Sequence, residues 1–128
     1  MKTKLFLIGL LIGILSGCLN DYESKKIISP SKKYKIKAIV NRTNSNSKDY
    51  AYVIINLYNK NDNLLNKINT GAGDFNKWHI GWTKKGDTIL LQSSDIGNKA
   101  WIIKENNFVE IEMTNKINKM AEKMKENK

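Results

Sequence analysis

The residues with the most chemical potential lie between positions 74 and 101. Asp74, His79 and Asp95 are of the types that pair as acid and base or ligate a metal. A metal site needs three or four ligands at suitable spacing, and one histidine with dispersed aspartates falls short of that. Alternation along a strand also places His79 on the face opposite Trp78 and Ile80. No catalytic, metal or cofactor site is therefore expected. The same stretch holds all three tryptophans, Trp78, Trp82 and Trp101. Large rings with a polar tip either fill a core or form a binding surface. Trp78, His79, Trp82 and Trp101 are accordingly the candidate ligand surface, against the simpler use of the indoles as core.

Other chemistries find no support. Gly71-Ala72-Gly73 lacks the third glycine of a dinucleotide loop, and no Gly-Lys-Ser/Thr follows it. There is no Gly-x-Ser-x-Gly elbow. Cys18 is the single cysteine, so an intrachain disulfide is impossible. Removing Lys2 and Lys4 leaves 20 basic against 12 acidic residues, a net +8. The lysines are spread over nearly every segment, which suits a solvated surface rather than a nucleic-acid groove.

The elements that must position these residues follow from hydrophobic periodicity. Residues 33–41 alternate, with Tyr34, Ile36, Ala38 and Val40 on one face and lysines on the other. Residues 49–58 are apolar on both faces, as in a central strand. A weaker strand is expected over 64–69, then a glycine-containing loop. Strands follow at 77–83, 88–94, 99–104 and 108–113, joined by short turns such as KKGD, where Gly86 can take positive φ. From Thr114 the period is helical, with Ile117, Met120, Ala121 and Met124 at i, i+3, i+4 and i+7 and Thr114 or Asn115 as N-cap. The expected fold is mainly β: a single antiparallel meander sheet of six or seven strands with a C-terminal amphipathic helix packed on it. One domain is expected over 33–128.

The N-terminus reads as an export signal. Lys2 and Lys4 precede an apolar run from Leu5 to Leu15 that is short for a membrane span, and small residues follow. Leu15-Ser16-Gly17-Cys18 resembles the lipobox of bacterial lipoproteins. The resemblance covers the first 18 residues and implies a signal peptide at 1–17. It also implies lipid attached to the Cys18 thiol, with cleavage just before that residue. Residues 18–32, polar and holding the only proline, are expected to act as a flexible tether. Leu19 is not the aspartate that retains lipoproteins in the inner membrane of enteric-type bacteria. The implied location is the cell envelope: outer membrane with two membranes, outer leaflet of the cytoplasmic membrane with one.

Two stretches resemble blades of periplasmic propeller proteins, Ser29-Pro30-Ser31-Lys32-Lys33-Tyr34 and Trp82-Thr83-Lys84-Lys85-Gly86-Asp87-Thr88-Ile89. Their physical content is a tight turn before a buried strand, and the chain is too short for a closed propeller. The segment Trp78–Trp101, with W-x-x-G-W, D-T-I and S-S-D-x-G, resembles small uncharacterised envelope lipoproteins and implies no chemistry. The expected protein is a membrane-anchored, non-enzymatic binding or structural module. Its partners would be membrane lipid through acylated Cys18 and an envelope protein or glycan, with no cofactor and no nucleic acid. The rival expectations are an inhibitor or immunity lipoprotein and a small envelope hydrolase.

Overall fold

The computed structural model describes residues 20–126. Residues 1–17, expected to be a signal peptide, and Cys18 lie outside the described residues.

Alternation builds the first sheet. In β3 (Tyr34–Val40), Ile36, Ala38 and Val40 are fully buried. In β4 (Tyr52–Asn59), Val53, Ile55 and Leu57 are buried in the same layer. The two strands pair antiparallel, Ile36 opposite Leu57 and Val40 opposite Val53. Next to β4 runs β5 (Leu64–Gly73). The sequence predicts a loop from Thr70, yet the strand continues to Gly73. Thr70 Oγ1 donates to the Val53 carbonyl at 2.7 Å and accepts from the Ala72 N–H at 3.1 Å. Gly71 takes φ +80°. The glycine thus serves an irregularity within the ladder, where the register against β4 slips between Tyr52 and Ile54.

The expected tether is largely structured. β1 (Tyr22–Glu23) and β2 (Ile27–Ile28) both pair with β3, placing Tyr22 opposite Val40 and Ile27 opposite Ile36. Between them Ser24 interrupts the ladder, its Oγ accepting from the Ala38 N–H at 2.8 Å. Two-residue strands split by a serine leave no period to read, although Tyr22 and Ile27 pack on the core.

The chain then leaves this sheet. β6 (Trp78–Trp82), β7 (Ile89–Ser93), β8 (Lys99–Lys104) and β9 (Asn107–Ile111) form a second antiparallel meander in that order. This corrects the expected single sheet: the nine strands among the described residues divide into two sheets. They pack face to face, with Ile36, Ile55 and Leu57 from one meeting Ile89, Leu91 and Trp101 from the other in one core. The division is a matter of coverage. Buried apolar rows on β3, β4, β7 and β8 need a facing layer, and one short helix is too narrow to supply it.

A third layer is the helix α1 (Asn115–Lys123), capped by Thr114, whose Oγ1 accepts from the Ile117 N–H at 3.2 Å. It lies on the outer face of the second sheet. Ala121 is fully buried, and Met124 lies so close to Gly81 that a Cβ there would stand 2.8 Å from its sulfur. β7 is thus the strand covered on both sides: Ile89 and Leu91 face the core, Leu90 faces the helix side, and all are buried. The expectation of two-sided burial for β4 holds differently. Its outer face carries Asn56 and Tyr58, and Lys26 and Lys37 lie over the Tyr58 ring at 4.4 and 5.5 Å. Lysine side chains thus cover that face, with their ammonium groups over the ring and paired to Asp62 and Glu23.

Candidate functional site

A groove of about 420 Å³ opens where the β1–β2 side of the first sheet meets β6. Tyr22 and Trp78 both line it, their rings packed on each other edge to face at 5.7 Å. Trp78 points here because β6 alternates: Trp78, Ile80 and Trp82 turn toward the first sheet, where they pack on the core. Trp82, farther along β6, ties that strand to β2 by donating from Nε1 to the Ile27 carbonyl at 3.0 Å.

The polar end is held by Arg42 and Asp74. The Arg42 guanidinium grips the carboxylate with two bonds, 2.7 Å from Nε and 3.2 Å from Nη2. Trp78 Nε1 donates to the same carboxylate at 3.1 Å. Arg42 also lies 5.0 Å from the Tyr22 ring centroid. Bonds from Arg42 hold the Asp74 carboxyl below the usual carboxylate range, against partial burial and with help from the Trp78 N–H. Such a carboxylate accepts bonds and stays ionised, which suits positioning rather than proton transfer.

Because the folded-state value is depressed, the stabilisation from Asp74 is complete at neutral pH. It fades as acid takes the pH below the ordinary carboxylate value of about 4 toward the lowered one. Arg42 is nearly half exposed, so the pair is screened and worth about 1 kcal/mol, the upper end for such contacts. Asp74→Asn should therefore lower stability by about that amount at pH 7 and by progressively less in acid. Thermal midpoints of both proteins at neutral and acidic pH check this; a gap of equal size at both would contradict the ion pair.

The candidate ligand residues divide. Trp78 lines the groove, whereas Trp82 is half-buried outside it, bonded to the Ile27 carbonyl. Trp101 is 1% exposed within the core, which corrects its place in a ligand surface. His79 faces the helix side of β6, its Nδ1 2.8 Å from Gln92 Oε1 on the neighbouring strand. Asp95 does not join Asp74 and His79 in a shared cleft. Its Oδ2 accepts from the Gly73 N–H at 3.0 Å and ties the end of β5 to the β7–β8 turn. Among the described residues no three histidine, cysteine or acidic side chains are grouped to hold a metal.

The sequence reading missed Tyr22 and Arg42. Tyr22 was hidden in the polar stretch taken for a tether. Arg42 had one signal: it is the only arginine among 22 basic residues. Guanidinium offers the bidentate grip and ring stacking that lysine lacks. No protein-family profile, curated protein or solved structure matches this chain.

Proposed function

We propose that this protein is a lipid-anchored module of the bacterial envelope that works by binding rather than by catalysis. The observation that carries the reading is the groove itself. It is lined by an aromatic pair, Tyr22 packed on Trp78, and its charged groups, Arg42 and Asp74, are locked to each other rather than poised for reaction. Paired rings beside a fixed polar end suit an envelope glycan or an extended protein segment. The lipobox at Leu15-Ser16-Gly17-Cys18 supplies the address. Two or three acyl chains on Cys18 would hold the protein firmly, since each buried methylene contributes about 0.8 kcal/mol.

The test is Cys18→Ser, followed by cell fractionation and mass spectrometry of the mature N-terminus. The parent protein should carry acyl chains on Cys18 and sediment with membranes, and the variant should lose both properties. An unacylated, soluble parent would overturn the anchor. Turnover of a defined envelope substrate by the purified protein would overturn the binding role.

One observation favours a protein partner, as in an inhibitor or immunity lipoprotein. β6 is an outer strand of its sheet, paired only with β7 among the described residues. Thr83 donates to Thr88 and Ser94 donates to Lys77, so the odd-numbered positions of β6 face β7. The backbone groups of Trp78, Ile80 and Trp82 consequently point to the groove, where an extended segment could add as a strand. A stoichiometric complex with an envelope hydrolase or toxin, with loss of that partner's activity, is the result this reading requires.

A further inference from the structure

We propose that the domain rests directly on the bilayer, with the loops at its anchored end against the lipid headgroups and Phe75 inserted among them. The inference deepens the lipoprotein reading and rests on it.

The length of chain between anchor and fold sets the geometry. Asp21 is already fixed: its Oδ1 accepts from the Arg42 N–H and from Thr43 Oγ1, both at 2.9 Å. Cys18 to Asp21 is three residue steps, a span of roughly 11 Å even when fully extended. The headgroup layer on each side of a bilayer takes up roughly 5–8 Å of that. A lipid on Cys18 therefore leaves only a few ångströms of slack, and the end of the domain carrying Asp21 must lie at the membrane surface.

That end carries the most exposed large apolar side chain. Phe75 is 86% exposed, in the turn between β5 and β6. Its neighbour Asp74 is clasped by Arg42, whose backbone is bound by Asp21, so the turn is tied to the attachment point through two contacts. Asp95 binds Gly73 and brings the next loop alongside, with Ile96 39% exposed. Arg42, Lys48 and Lys77 belong to the same group of loops together with Asp21, Asp49, Asp74 and Asp95, so this end carries no excess of cations. An exposed aromatic ring on such a loop suits the headgroup interface, where aromatic side chains sit with their rings among the lipid. Lysines also occur at the far end, in the turns around Lys32, Lys60 and Lys84. The short connection and the exposed Phe75, not charge, thus select the membrane-facing end.

The single cysteine makes the test clean. Once Cys18 is acylated no thiol remains, so Phe75→Cys and Leu64→Cys each introduce one labelling site. Leu64 is exposed at the opposite end, where β5 begins. Each full-length, processed protein is labelled with an environment-sensitive fluorophore and reconstituted into vesicles of phosphatidylethanolamine and phosphatidylglycerol. Intact mass is read first. An acylated protein whose label at 75 shifts to the blue and is quenched by nitroxide lipids, while the label at 64 stays water-like, is the expected result. If the protein is acylated and both labels stay in water, the orientation is wrong and the anchor stands. If the label at 75 is shielded only after envelope proteins are added, that end binds protein and the lipid contact is overturned. An unacylated product overturns both the anchor and the inference built on it.

Discussion

Trp101→Ala should destabilise the folded domain by about 3–5 kcal/mol, the range for removing a large aromatic side chain from a packed core. Trp101 is 1% exposed on β8, opposite Ile89 of β7 and Glu110 of β9, and it packs in the core between the sheets with Ile36, Ile55 and Leu57. The cost combines lost transfer of the indole with a cavity that two sheets cannot close without moving apart. Domains of this size are stable by only about 5–15 kcal/mol, so the variant should be partly unfolded or melt far below the parent. Urea unfolding of both proteins, followed by far-UV circular dichroism, gives the difference. The comparison with Trp78→Ala matters most. Trp78 is only half-buried at the groove, so its removal should cost less stability and act on binding instead. Equal and small losses at both positions would mean that Trp101 belongs to the surface after all.

The second large effect is at Gly81. On its own a valine there should help, because glycine weakens a strand by roughly 0.5–1 kcal/mol and β-branched residues favour the pleated surface. Gly81 has no positive φ to protect. The helix reverses the sign. A Cβ at 81 would lie 2.8 Å from Met124 Sδ, and the methyl groups of valine would reach further into α1. Gly81→Ala can be absorbed because the obstacle is the flexible end of a methionine. Gly81→Val should cost about 1–3 kcal/mol through overpacking, with faster amide exchange along α1. Adding Met124→Ala should recover part of the loss, since the two residues touch and their effects should not add. A stabilised Gly81→Val would show that the helix does not cover this face.

Much of the fold could be read from periodicity, because alternation and helical spacing are local. The strand at 34–40, the turn at Gly86, the strands from 78 to 111 and the helix with its Thr114 cap all appear where the pattern puts them. Local patterns fail where partners lie far away. Tyr22 and Ile27 become strand residues only because β3 lies beside them, and the glycines at 71 and 73 stay in a strand because Thr70 bonds across to β4. The candidate site suffered most from this. Arg42 and Asp74 are 32 positions apart, and no spacing rule connects them.

By itself the sequence determined the mainly β character, the amphipathic terminal helix and the exclusion of an intrachain disulfide, since each depends on residue type or on neighbours a few positions away. It also supplied the lipobox reading, which needs only four consecutive residues. Tertiary structure alone decided that the strands form two facing sheets and that Trp101 is core while Trp78 borders a groove. It decided too that Asp74 belongs to Arg42 rather than to His79. The physical reason is that burial and ion pairing depend on which surfaces meet. A strand with two apolar faces can be covered by a sheet, a helix or the stems of lysines, and its sequence reads much the same in each case.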